Sequence, residues 1–306
     1  MKRLFTFGCS FTDYRWPTWA DIAGCEFDYY ENWGQYGTGN LFILNSLTEC
    51  IVKNKLTKND TVVIMWTNVT REDRYVKNKW LTAGNIFTQT TYPQEFVKKF
   101  CDVKGYFIRD LSIIHATRKM LESYNINYIF TSIMPITNCD QFYLLDAKDN
   151  FQELFDPYQE TLKIIRPSVF EIIFNFDWTS RPIDHNMIAF KKFYNRLAGA
   201  DWPTVENFLN GNIENIPGQV KEELGNNEWF LNIRKYISKR GDVHPTPLEH
   251  LEFLKIVLPE FAITQKTVEW VHQVDQIVIY HLSKGDDVIR FNLNLWNKSP
   301  SVPNRW

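Results

Sequence analysis

Residues 61–66 read TVVIMW, a short apolar run rich in β-branched side chains and preceded by the turn-forming pair Asn59-Asp60. A run of this length with polar flanks fits a strand buried on both faces, as the inner positions of a parallel sheet require. Residues 4–7 (LFTF) read as a short buried strand, 29–33 as a second strand, and 127–134 (NYIFTSIM) as another. Between them lie segments with helical spacing at 18–23, 40–53 and 104–123. Leu41, Leu44, Leu47 and Ile51 fall at helical spacing in the second, and Ile108, Leu111, Ile114 and Leu121 are among the apolar positions of the third. Strand–helix alternation predicts βαβ units wound into one parallel sheet. The expected fold class is α/β: a three-layer α/β/α arrangement around a doubly wound parallel sheet.

The remainder is less regular. From about residue 137 to 240 the chain carries polar clusters and Pro157, Pro167, Pro182 and Pro203, with a strand-like run at 169–174 (VFEIIF). This region reads as the last part of the sheet plus helical insertions. A helix is predicted over 247–257. Residues 267–282 and 288–295 read as hairpin material around Gly285-Asp286. The expected organisation is an α/β domain over 1–261 and a small C-terminal β extension over 262–306, which could also serve a homo-oligomer.

Several function classes are disfavoured. With 306 residues and a formal net charge of −2, the chain has room for a full core and no basic footprint for nucleic acid. No stretch approaches the length of a membrane span. The apolar run after Lys2 and Arg3 is broken at Gly8, too early for a signal peptide. Cys9, Cys25, Cys50, Cys101 and Cys139 are odd in number and irregular in spacing, which fits reduced thiols better than disulfides or a zinc site. A cytoplasmic protein is the expectation.

Parallel sheets bind ligands at the carboxyl ends of their strands. Gly8-Cys9-Ser10-Phe11-Thr12 closes the first strand, and Asn32 to Asn40 (NWGQYGTGN) closes the second and opens a helix. Trp66-Thr67-Asn68 closes the third, and Asp242-Val243-His244-Pro245 precedes a late helix. A serine hydroxyl needs a base to become a nucleophile, and an acyl-transfer intermediate needs preorganised donors for its oxyanion. A strand-end serine, a glycine, an asparagine and a late histidine supply those parts.

This order resembles the SGNH (GDSL-type) hydrolase superfamily, over roughly residues 1–260, and in motif style its members from bacteria and their viruses. The resemblance implies Ser10 as nucleophile, His244 as base, Asp242 as its carboxylate partner, and Gly37 and Asn68 with the Ser10 N–H as oxyanion donors. It implies no metal or organic cofactor. Two departures stand out: Cys9 replaces the usual aspartate before the serine, and Gly241 holds the usual aspartate position of the last block, with Asp242 one residue later. Trp16, Asn40, Arg71 and Trp80 are placed as substrate contacts, although Arg71, Glu72 and Asp73 also read as a solvated charge cluster. Two functions remain open. One is a serine esterase for a small acyl ester, an O-acetyl group on a carbohydrate being favoured. The other is a non-catalytic or acyl-transferring glycan-binding protein on the same fold, virion-associated if virus-encoded.

Overall fold

The computed structural model describes residues 2–87, 91–137, 152–173 and 244–284. The described strands are β1 (Arg3–Phe7), β2 (Tyr29–Asn32), β3 (Asp60–Trp66), β4 (Arg71–Val76), β5 (Lys79–Asn85) and β6 (Asn127–Ser132). Four of them form one all-parallel sheet in the order β2-β1-β3-β6.

Side chains alternate across a strand, so the sheet offers two apolar faces. Phe5, Phe7, Val62, Ile64, Trp66 and Phe130 turn to one side. They meet Ile43 and Leu47 of α2 (Asn40–Asn54) and Phe107, Leu111 and Ile114 of α4 (Val103–Ser123). Leu4, Val63 and Met65 turn to the other side. There they meet α1 (Trp19–Gly24), α8 (Pro247–Val257) and α9 (Gln265–Lys284) through Trp19, Ile22, Leu251, Leu254 and Val271. Four further short α-helices complete the described set: α3 (Gln94–Phe100), α5 (Gln152–Phe155), α6 (Gln159–Leu162) and α7 (Val169–Ile173). The result is a mixed α/β protein with helices on both faces of a parallel sheet. No described helix is long and apolar enough to cross a membrane.

The strand order determines where a ligand crevice can form. The chain steps from β1 out to β2, then returns past β1 to β3 and on to β6. The loops after β1 and β3 therefore diverge at a topological switch point, where open α/β sheets form their crevice.

Three expectations need correction. Residues 169–173 are helical, not a strand. Ser168 and Glu171 form a reciprocal cap, Ser168 N–H to Glu171 Oε2 at 2.7 Å and Glu171 N–H to Ser168 Oγ at 3.3 Å. The run at 267–282 lies within helix α9 rather than a hairpin, which removes β structure from the described part of the C-terminal extension. Its Val271, Val274 and Val278 are buried at helical spacing. The strand expected at 288–295 lies outside the described residues. Finally, β4 and β5 form an antiparallel hairpin where the sequence predicts no strands. Lys77 and Asn78 at its tip have φ of +50° and +62°, a primed two-residue turn whose twist suits the paired strands.

Candidate active site

The site begins where β1 stops. A Cβ on Gly8 would lie 2.1 Å from Thr12 Oγ1 and 3.1 Å from the Met65 carbonyl oxygen. Glycine is required there for close approach, because the chain passes β3 and folds back over itself. The N–H groups of Thr12 and Asp13 both donate to the Cys9 carbonyl, at 2.8 and 3.0 Å, closing the turn that presents Ser10. Cys9 is fully buried among apolar neighbours, as a small core residue.

His244 Nε2 lies 2.8 Å from Ser10 Oγ. The two residues are far apart in sequence, and several contacts hold the histidine in place. Trp16 Nε1 donates to the Pro245 carbonyl at 2.8 Å. Thr246 and Glu249 form a capping box at the start of α8, with Pro247 in its first turn. Asp275 of α9 accepts from Leu248 N–H at 2.9 Å. Two aromatic rings pack against the imidazole itself. Tyr14 stacks on it at 3.7 Å between centroids and 17° between planes, and Phe11 lies 4.7 Å away at 39°. Two ring contacts fix the imidazole plane, and the hydrogen bond then fixes its rotation. Ser10 and His244 are 5% and 9% exposed.

Gly37 follows β2 with φ +73°, a left-handed value that disfavours any L side chain. Its loop is tied to the end of β1: the Gly8 carbonyl accepts from Gln35 N–H at 3.0 Å and from Thr38 Oγ1 at 3.3 Å. Asn68 follows β3, and its amide oxygen is buried with no hydrogen-bond partner among the described residues. Thr67, one residue earlier, is held on both sides of its backbone. Asn40 Oδ1 accepts from Thr67 N–H at 2.9 Å, and Asn40 Nδ2 donates to Thr67 O at 3.1 Å. Asn40 Nδ2 also donates to Asp110 Oδ2 at 2.7 Å, and Asp110 Oδ1 accepts from Arg109 Nε at 2.6 Å. Burial pushes the Asp110 carboxyl up to about 7, with the charge of Arg109 and its hydrogen bond opposing.

The four residues placed as substrate contacts make the following contacts within the protein. Asn40 is fully buried with its amide engaged as above, so it offers no surface to a ligand. Trp16 is 3% exposed and anchors the histidine loop. Arg71 Nη1 donates to the Thr38 carbonyl at 2.9 Å, fixing the glycine loop. Trp80 packs edge-on against Phe42 and Tyr75 at 5.4 and 5.7 Å. The charge cluster is not solvated either: Glu72 and Asp73 are buried. Asp73 accepts from Gly39 N–H at 2.8 Å and Phe42 N–H at 3.0 Å, capping α2 from outside its own sequence. Asp242 lies outside the described residues. Among the described residues no three His, Cys, Asp or Glu side chains group as metal ligands.

Sequence reasoning misses Tyr14 and Phe11, which grip the imidazole, and Asp73 and Asp110, which fix the loops. Only Phe11 and Tyr14 carry a signal, lying within four residues of the serine. His250, to which the sequence assigns no role, is fully buried on α8 with neither ring nitrogen hydrogen-bonded among the described residues. Burial first, and the nearby His244 second, push it down to about 3. The folded state therefore holds fewer protons than the unfolded chain between about pH 3 and 6.5, and stability falls as pH drops through that window. His250→Leu is expected to stay within about 1 kcal/mol of the parent at pH 7.5, since it removes two unpaired polar atoms. At pH 5 it should be more stable by about 2 kcal/mol. Urea denaturation at the two pH values checks this, and equal pH dependence in parent and variant would refute it.

Neither a scan against protein-family models nor a search of the curated proteins gives a match to this chain.

Proposed function

We propose that the chain is an SGNH (GDSL-type) serine esterase acting on a small acyl ester, with an O-acetyl group on a carbohydrate as the favoured substrate. The observation that carries this reading is the 2.8 Å contact between Ser10 Oγ and His244 Nε2 at the carboxyl edge of a parallel sheet. In the reaction, His244 takes the Ser10 proton as Oγ attacks the ester carbonyl. Negative charge develops on the carbonyl oxygen, and the reading assigns the Ser10 N–H, the Gly37 N–H and the Asn68 amide as its donors. His244 then returns the proton to the leaving alcohol, and water releases the acid from the acyl-enzyme by the same steps. Asp242 is assigned to the other ring nitrogen of His244.

The substrate class is supported by the aromatic surroundings. Tyr36 is 64% exposed beside Gly37, and its ring lies 6.4 Å from that of Tyr14 at 19°. The stack therefore runs from the buried imidazole to an open ring face, on which a sugar ring can lie. The slight exposure of Ser10 suits a small acyl group better than a long chain.

Labelling with a fluorophosphonate tests the reading. The expected result is one covalent adduct, mapped to Ser10, whose formation requires His244. A protein that forms no adduct while binding acetylated oligosaccharide would instead be a glycan-binding module, and the esterase reading would fall.

A further inference from the structure

We propose that the β4–β5 hairpin sets the direction of the Gly37 N–H, and that the Thr82 hydroxyl is the positioning group. The inference rests on the reading of Gly37 as an oxyanion donor.

Four consecutive residues of the glycine loop are held by this one hairpin. Thr82 Oγ1 donates to the Tyr36 carbonyl at 3.0 Å. Gly84 N–H donates to the Gly37 carbonyl at 3.1 Å. Arg71 Nη1 donates to the Thr38 carbonyl at 2.9 Å, and Asp73 Oδ1 accepts from Gly39 N–H at 2.8 Å. The opposite side of the loop is tied to Gly8, two residues before Ser10, through the Gln35 N–H and the Thr38 hydroxyl. The loop thus lies between the hairpin and the end of β1.

The Thr82 contact has a specific consequence. The Tyr36 carbonyl and the Gly37 N–H belong to one peptide plane, and in a planar trans peptide they point in opposite directions. A hydroxyl that binds the carbonyl from the hairpin side turns the N–H away from the hairpin, towards the end of β1 and Ser10. A glycine with φ +73° leaves this peptide freer to rotate than other residues would, so the orientation needs an external restraint. The bond also polarises the peptide and makes its N–H a better donor. Position matters too: a Cβ on Gly37 would lie 3.0 Å from the Thr82 carbonyl oxygen, so β5 abuts the loop directly.

The test compares Thr82→Val, which keeps the shape and loses the hydroxyl, with Thr82→Ser, which keeps the hydroxyl. Steady-state hydrolysis of p-nitrophenyl acetate and the rate of fluorophosphonate labelling are measured, with thermal midpoints alongside. Thr82→Val is expected to lower kcat and the labelling rate about tenfold while leaving KM within about twofold. Thr82→Ser should stay within about twofold of the parent on every measure, and both variants should melt near it. The inference is overturned by a Thr82→Val protein as fast as the parent, or by a Thr82→Ser protein as slow as Thr82→Val. A parent that is neither active nor labelled overturns the esterase reading and this inference together. A labelled parent with an indifferent Thr82→Val overturns this inference alone.

Discussion

Ser10→Ala is expected to lower kcat/KM for p-nitrophenyl acetate by about a thousandfold or more and to abolish fluorophosphonate labelling. Oγ is the attacking atom, and alanine leaves nothing in its place. His244→Ala should have an effect of the same order, because the serine loses the base that lies 2.8 Å away. The double variant should be no slower than the worse single one. Serine and histidine act as one unit, so removing the second after the first takes away nothing further. That non-additivity separates the proposed chemistry from a surface on which the two residues contribute independently. Folding should be little changed in Ser10→Ala, since among the described residues its hydroxyl hydrogen-bonds only to His244 and, at 3.9 Å, the Cys9 sulfur. An active Ser10→Ala protein would place catalysis elsewhere, and multiplying effects in the double variant would argue against a joined pair.

The central sheet is legible in the sequence because its signals are local and strong. TVVIMW suits a strand buried on both faces, and its alternation with segments of helical spacing points to a parallel sheet. The serine block is legible for a different reason: topology puts the ends of β1 and β3 on the ligand-binding edge of the sheet, whereas the histidine block, which precedes a helix, is reached only through the resemblance of motif order. The failures have physical causes. In α9 the β-branched residues suggest strands, yet Val271, Val274 and Val278 keep helical spacing, and packing on the core overrides their propensity. In α7 the Ser168–Glu171 cap is the readable signal, hidden by the apolar VFEIIF that overlaps it. The β4–β5 hairpin turns on Lys77-Asn78, which lacks the glycine that normally marks a primed turn. Glu72 and Asp73 look solvated in sequence because the partners that justify their burial lie elsewhere in the chain, Tyr106 and Arg109 for the first and the start of α2 for the second. Asn40 reads as a substrate contact because it sits in the glycine block. Its actual partners, Thr67 and Asp110, are 27 and 70 residues away.

Those partners make Asn40→Ala the substitution with the largest expected effect on stability. The alanine would leave Thr67 N–H, Thr67 C=O and one Asp110 oxygen unpaired in a fully buried place. Each orphaned group costs about 1–3 kcal/mol, so a loss of about 3–4 kcal/mol is expected after partial relaxation, read from urea denaturation. Asn40→Asp is nearly the same shape and distinguishes hydrogen bonding from packing. It sets a second carboxyl against Asp110, and two adjacent buried carboxylates cannot both ionise. One proton must then be held between them, so this variant binds more protons folded than unfolded, and its deficit grows as pH rises. It should be about 3 kcal/mol less stable than the parent at pH 8, with about half of that recovered at pH 5, where the single O–H of the protonated acid restores one of the two bonds the amide donated. The functional consequence comes from position. With Thr67 released, Asn68 loses the restraint immediately before it, and fluorophosphonate labelling of the folded Asn40→Ala protein should slow about tenfold. Stability unchanged in Asn40→Ala would show that the clamp does not hold the end of β3. A loss of stability with unchanged labelling would show that Asn68 is positioned by something else, or does not serve the oxyanion.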